Sequence, residues 1–217
     1  MRIGIFGGTF DPVHNGHLEI ADKVGQWFSL DCVHFVPAAR SPHKVQQPEA
    51  TAWDRFAMLV LATRAHERFY VSTLELERGG ASYTIETIRE FRRRMDAAGD
   101  LYFLMGADAF RTLPAWKDYA ELLQLTNLIV VSRPGHTLSA EWLPETFRAH
   151  VRLWEPDRAC IRDRGPRIYL CSGVHNEISA TAIRAARRRG ETIAHLVPPD
   201  VAAYIEKYRL YRDAITT

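Results

Sequence analysis

Two histidines three residues apart, set behind a pair of glycines, are the first residues of this sequence whose types and spacing could do chemistry. The stretch Gly7-Gly8-Thr9-Phe10-Asp11-Pro12-Val13-His14-Asn15-Gly16-His17 leads out of a short apolar run and into a helical stripe. Two glycines let a backbone approach a ligand closely. A helix that starts just beyond them turns its free N–H groups toward the same place and favours an anion there. His14 and His17 stand at that helix start, so both imidazoles can face the anion. The string contains neither Gly-Lys-Ser/Thr nor GxGxxG, so it is neither a P-loop nor a dinucleotide fingerprint. By itself the HxxH spacing suits a metal pair or a pair of capping histidines.

A second constellation opens a late helix: Ile178-Ser179-Ala180-Thr181-Ala182-Ile183-Arg184. Ser179 fits an N-cap, because its hydroxyl can satisfy N–H groups of the first turn. Arg184 lies early in the helix, where a cation is unfavourable by ~0.3–1 kcal/mol if exposed, unless an anion sits beside it. Cap hydroxyls, backbone N–H groups and a guanidinium fork together make a phosphate site. An ordinary capped helix with a solvated arginine is the plainer alternative. Between the two constellations, Gly106-Ala107-Asp108 follows the apolar run Leu101–Met105 directly. In an open parallel sheet ligands bind beyond the carboxyl ends of the strands. There Asp108 can accept both hydroxyls of a ribose, or cap a helix.

The elements that must position these residues are legible as alternating patterns. Apolar runs predict strands at Arg2–Phe6, Cys32–Val36, Tyr70–Leu76, Leu101–Met105, Leu128–Val131 and Ile168–Cys171. Helical spacing predicts helices over His17–Phe28, Ala52–His66, Tyr83–Met95, Trp116–Leu123, Ser179–Arg189 and Val201–Tyr208. In the second of these, Trp53, Phe56, Leu59, Val60 and Thr63 form the expected inner side. Strands that alternate with helices and are continuously apolar imply an α/β fold, a mostly parallel sheet with helices on both faces. Thr137–Arg167 has no clear period and reads as an excursion from the sheet.

Length and composition narrow the functional classes. The 217 residues suit one domain over 1–217, and 47% hydrophobic with 25% charged residues is ordinary for a globular protein. Disorder, collagen and disulfide scaffolds are thereby excluded. A net charge of +2, from 28 basic and 26 acidic side chains, gives no support to nucleic-acid binding. The clusters Arg92-Arg93-Arg94 and Arg187-Arg188-Arg189 fall where helices should end and read as solvated last turns. Cys32, Cys160 and Cys171 have no CxxC spacing, which points to a reducing cytoplasm. The opening MRIGIFGGTF lacks a signal-peptide core, and no apolar run approaches the ~18–20 residues of a membrane span.

The full string G-G-T-F-D-P-x-H-x-G-H resembles the signature of the nucleotidyltransferase superfamily, whose members move adenylyl or cytidylyl groups. Ile178–Arg184 resembles that superfamily's I-S-S/A-T-x-I-R motif, with Ala180 at the variable position. Further matches at Ser82-Tyr83-Thr84, Pro114-Ala115-Trp116, Ser132-Arg133-Pro134-Gly135, Val197-Pro198 and Tyr204-Ile205 extend the likeness along essentially the whole chain. In order and spacing they resemble the bacterial nicotinate mononucleotide adenylyltransferases.

This resemblance implies a Rossmann-like nucleotidyltransferase fold and an enzyme with ATP and nicotinate mononucleotide as substrates. It implies His17 and His14 as the catalytic pair on the phosphates. Gly7, Gly8, Thr9, Phe10, Gly106, Asp108, Ser179, Thr181 and Arg184 would complete the ATP site. Lys44, Tyr83, Thr84, Trp116 and Arg133 would hold the acceptor. Mg²⁺ would be delivered with ATP, without a dedicated metal site. Neither nucleic acid nor membrane is an expected partner, and homo-oligomerisation is left open. Two positions depart from the pattern: Ala38-Ala39-Arg40 stands where relatives carry an asparagine, and Lys117 where they often carry an aromatic. Alternatives are another acceptor, nicotinamide mononucleotide or phosphopantetheine, and a non-catalytic nucleotide-binding module.

Overall fold

The computed structural model describes residues 1–42, 46–96, 98–132, 138–154, 166–172 and 178–212. Their strands are β1 (Arg2–Gly8), β2 (Cys32–Pro37), β3 (Phe69–Val71), β4 (Asp100–Gly106), β5 (Asn127–Val131), β6 (Val151–Trp154) and β7 (Ile168–Cys171). The helices are α1 (Asn15–Trp27), α2 (Ala52–Thr63), α3 (Leu74–Arg78), α4 (Thr84–Arg94), α5 (Ala107–Arg111), α6 (Tyr119–Leu125), α7 (Glu145–Arg148), α8 (Ala180–Arg188) and α9 (Pro199–Lys207). The strands form one sheet in the order β3-β2-β1-β4-β5-β7-β6, and each pairing among them is parallel.

Alternation along each strand divides the core in two. Phe6, Val33, Phe35, Tyr102, Leu104, Ile129 and Tyr169 face a layer that includes Val24 of α1, Met58 of α2, Ile183 of α8 and Val201 of α9. Ile3, Ile5, Val36, Leu101, Phe103, Leu128 and Leu170 face the other way, onto Ile85 and Ile88 of α4, Phe110 of α5 and Leu122 of α6. Both faces being covered, the strands need no polar alternation, which is why they read as apolar runs.

The order of strands reverses between β1 and β4, the neighbours at the centre. Crossovers leave in opposite directions there and open a crevice beyond the carboxyl ends of the two strands. Gly7, Gly8 and Gly106 end β1 and β4 at that crevice.

Five expectations change. Tyr70–Leu76 is a strand only as far as Val71; Leu74–Arg78 is helical and buries Glu75. Trp116–Leu123 is not one helix: a 3-10 turn at Leu113–Ala115 precedes α6, and the short α5 lies before it. Thr137–Arg167 is not wholly an excursion, since β6 within it pairs with β7 as the sheet's edge. Two of the arginines expected in solvated turns reach inward. Arg92 donates to the carbonyls of Leu125 and Gly99, and Arg187 is buried against Glu206.

Helix α2 is also rotated from its expected phase. Its buried residues are Arg55, Met58, Leu59, Ala62 and Thr63, while Trp53 and Val60 are 58% and 43% exposed. Among the described residues no helix is long and apolar enough to cross a membrane.

Phe28, which ends α1, is fully buried among aromatic rings: Trp154 at 4.7 Å, Tyr169 at 5.0 Å and Tyr102 at 5.8 Å between centroids. Four elements thus share one side chain. Phe28→Ala should lower the unfolding free energy by about 3–5 kcal/mol. Urea unfolding would measure it, and a loss below ~1 kcal/mol would mean that these rings close the gap by themselves.

Candidate active site

The loop after β1 is shaped before any ligand arrives. Phe10 has φ 50°, a left-handed backbone that an ordinary residue adopts at a cost of ~1–2 kcal/mol. Its ring is 2% exposed and packs on Phe6, Phe35 and His17, at centroid distances of 5.6, 5.8 and 5.0 Å. That burial offsets the strain. A Cβ on Gly8 would stand 2.9 Å from the same ring, so only glycine lets the loop fold over Phe10.

His14 caps α1 in an extended conformation, and its N–H donates to Nδ1 of His17 at 3.2 Å. An Nδ1 that accepts cannot carry a hydrogen, so the neutral His17 ring presents Nε2–H as its donor. The two imidazoles are stacked, with centroids 3.7 Å apart and planes 26° from parallel. His14 is buried and His17 half-buried.

At the far side of the chain, Ser179 Oγ accepts from the N–H of Ala182 and caps α8. Arg184 points back from α8 to the first loop. Its Nη1 donates to the Asp11 carbonyl at 2.8 Å, and its Nε donates to Glu49 Oε1 at 2.9 Å. Arg188 reaches the same Glu49 carboxylate.

Asp11 lies beneath this meeting point, 5% exposed. Its carboxylate accepts from the N–H groups of Glu49 and Ala50, at 2.9 and 3.1 Å, and from the hydroxyl of Tyr211 at 2.8 Å. Burial, with the charge and hydrogen bond of Asp11, pushes the Tyr211 phenol far up. Arg55, buried on α2, donates from Nη1 to the Thr9 carbonyl at 2.7 Å. Burial lowers its guanidinium, and the nearby Asp11 charge opposes that shift.

These groups surround a cleft of about 710 Å³ lined by Gly8, Thr9, Phe10, Asp11, His14, His17, Gln46–Glu49, Ser179–Thr181 and Arg184. A second cavity, of about 500 Å³, lies over β1, β2 and β4. Gly7, Thr84, Asp108 and Trp116 are in its lining, with Ala38, Glu75, Ser82, Thr87 and Thr112. Gly8 and Thr9 line both. Gly8, Thr9, His14 and His17 of the first constellation and Ser179, Thr181 and Arg184 of the second therefore reach one cleft, while Gly7 lines the second cavity. Asp108, expected with the ATP ribose, lies in the second cavity.

Two residues from the sequence reading line neither space. Tyr83 lies under the Lys117 ammonium, 4.6 Å from its ring centre, and Gly106 ends β4 exposed. Lys44 and Arg133 lie outside the described residues. Trp116 stands edge-on to Phe103 at 6.3 Å and donates to Thr112 Oγ1.

Asp11, Glu49, Arg55, Glu75 and Tyr211 were not singled out from the sequence. Asp11 sits inside the histidine string, so its place was in view without its role. Among the described residues no group of three His, Cys, Asp or Glu side chains is placed to hold a metal ion. The carboxylates of the cleft, Asp11 and Glu49, are engaged by Tyr211, backbone N–H groups and arginines.

The sequence matches the cytidylyltransferase-like family over residues 5–186. A protein of Citrifermentans bemidjiense described as "Probable nicotinate-nucleotide adenylyltransferase" is 39% identical over 216 residues, 99% of this chain and 100% of that one. A protein of Clavibacter michiganensis with the same description is 42% identical over 212 residues, 98% of this chain and 94% of its own. Among solved structures, the Plasmodium falciparum nicotinic acid mononucleotide adenylyltransferase complexed with NaAD superposes with a TM-score of 0.73. It is 17% identical, and the match covers 97% of each chain.

Glu75, on the floor of the second cavity, is 7% exposed, and burial pushes its carboxyl above the usual range. Hydrogen bonds from Thr87, at 2.6 Å, and Ser82, with the charge of Arg78, partly oppose the shift. Folded Glu75 thus keeps its proton to higher pH than an unfolded glutamate, which titrates near about 4.3. Its contribution is fully present below that value and is lost as pH rises through the raised folded value. Glu75→Gln should remove this decline. Urea unfolding from about pH 4 to about pH 8 should show the variant gaining on the wild type as pH rises; a constant difference would mean that Glu75 is not raised.

Proposed function

The chain belongs to the nicotinate-nucleotide adenylyltransferases of the cytidylyltransferase-like family, and on that premise we propose that it transfers the adenylyl group of ATP to nicotinate mononucleotide, giving deamido-NAD and pyrophosphate. The observation that carries this reading is the pair of cavities that meet at Gly8 and Thr9. One is walled by two histidines and an arginine and suits a polyphosphate. The other is walled by Trp116 and the start of α4 and suits a flat ring with a small polar group. A reaction that joins two phosphates needs its two ligands to touch at such a shared wall.

The nucleophile is the acceptor's own 5′-phosphate, anionic at neutral pH and in need of no general base. Its oxygen attacks the α-phosphorus of ATP in line. The bond to the bridging oxygen of the β-phosphate breaks, and pyrophosphate leaves with the electron pair. No covalent enzyme intermediate enters. Catalysis is then positioning and charge stabilisation.

In this reading His17 Nε2–H meets the α-phosphate as charge moves toward the bridging oxygen. His14, the Gly8–Phe10 turn, Ser179, Thr181 and Arg184 hold the β- and γ-phosphates. The triphosphate replaces Glu49 on Arg184, one anion for another. Magnesium belongs to the substrate as Mg–ATP, held by phosphate oxygens and water. Trp116 stacks on the pyridine ring. Gly7 and Asp108 line the second cavity, and Asp108 is proposed to accept from the adenylyl ribose there. Lys44 and Arg133 are proposed to add cations to the acceptor. Cys32 and Cys171 are free and buried, which supports a reducing cytoplasm as the compartment.

Release of pyrophosphate, followed with ATP and the acid or the amide mononucleotide in parallel, tests the reading. The acid should be the better substrate, and no release with either would overturn it. His17→Ala should lower kcat by about 10²–10³ with little change in either KM, because its interaction grows in the transition state. Trp116→Ala should raise KM for the acceptor about tenfold and leave KM for ATP nearly unchanged. Equal effects on both substrates would mark Trp116 as part of the core instead.

A further inference from the structure

Helix α2 buries a charged residue although it has apolar ones to offer. Arg55 is 1% exposed, while Trp53 and Val60 on the same helix face outward. A rotation of the helix would bury the indole and free the guanidinium. Burying a cation is costly unless it is well bonded. Even so, Arg55 Nε has no hydrogen-bond partner among the described residues. Packing alone gives no reason for this choice of face.

Its bonds supply one. Nη1 donates to the carbonyl of Thr9 at 2.7 Å, and Nη2 reaches the carbonyl of Ala39 at 3.4 Å. Thr9 belongs to the wall shared by the two cavities. Ala39 belongs to the loop after β2, whose Ala38 lines the second cavity. The N–H of Ala38 donates to the Gly8 carbonyl at 2.9 Å, and the N–H of Ala39 donates to Ser82 Oγ at 2.9 Å. Ser82 lies just before Thr84 at the start of α4. One planar group therefore fastens the phosphate loop to the acceptor loop, and the acceptor loop fastens the wall beyond it.

We propose that Arg55 is a positioning residue that holds the donor loop and the acceptor loop in register for in-line transfer. The proposal rests on the transfer reaction given above. Each loop binds its own ligand with its own groups, so loosening the tie should leave both affinities largely intact. What suffers is the approach of one phosphate to the other, where a displacement of about 1 Å can cost ~10²-fold in rate. Lysine keeps the charge but lacks the planar fork that serves two carbonyls at once.

The test compares wild type and Arg55→Lys in pyrophosphate release with ATP and nicotinate mononucleotide, alongside urea unfolding. We expect kcat of the variant to fall about 10- to 10²-fold, both KM values to stay within about threefold, and the unfolding curve to remain cooperative. A wild-type kcat in Arg55→Lys overturns the proposal. So does a rise in KM for ATP at steady kcat, which would assign Arg55 to the ATP cleft alone. A wild type inactive with every mononucleotide overturns the reaction itself, and the proposal with it. Should Arg55→Lys fail to fold, Arg55→Gln, whose shorter amide cannot serve both the Thr9 and Ala39 carbonyls, takes its place. A fall in kcat of about fivefold or more at unchanged KM for ATP then supports the proposal, and an unchanged kcat overturns it.

Discussion

The carboxylate of Asp11 holds together segments that are far apart in the chain. It accepts hydrogen bonds from the backbone of Glu49 and Ala50 and from the hydroxyl of Tyr211. The same residue's carbonyl accepts from Arg184. The first loop, the approach to α2, the start of α8 and the segment after α9 thus converge on one buried acid. A buried carboxylate without donors would be expensive, and one with three donors is rigid. That rigidity, with the burial of Phe10, lets His14, His17 and Arg184 stand round a common cleft.

Charge in the cleft is arranged in opposed pairs. Arg184 lies beside Glu49 and 3.9 Å from an Asp11 oxygen. Arg55 lies under the same loop, its desolvation eased by Asp11. Such pairs add little to stability, since desolvation consumes much of the Coulombic gain. Their value lies in geometry. They hold the guanidinium groups of Arg184 and Arg55 in fixed orientations against the first loop.

Local signals were legible in the sequence, and long-range ones were not. The glycine-histidine string and the Ser179–Arg184 turn carry their own cap and loop chemistry within a few residues, so their elements could be read directly. The parallel sheet followed from apolar runs that only a doubly covered sheet needs. The face of α2 was misread because hydrophobicity ranks Trp53 above Arg55. Only the carbonyls of Thr9 and Ala39, elsewhere in the chain, make Arg55 the inward residue. Arg92 and Arg187 looked like solvated ends for the same reason, their partners lying on other elements. The strand at Val151–Trp154 escaped notice because an edge strand with Arg152 and Leu153 exposed has no period to detect.

Tyr211 and Asp11 are 200 residues apart along the chain. During synthesis the first β-strand and the histidine helix leave the ribosome long before the phenol that completes their acid's set of donors. A nascent chain arrested before that tyrosine can carry both motifs in full and still leave the carboxylate one donor short. Assembly of the phosphate loop is thereby coupled to completion of the C-terminal segment, and a proteolytic cut after α9 would loosen a loop at the opposite end of the polypeptide.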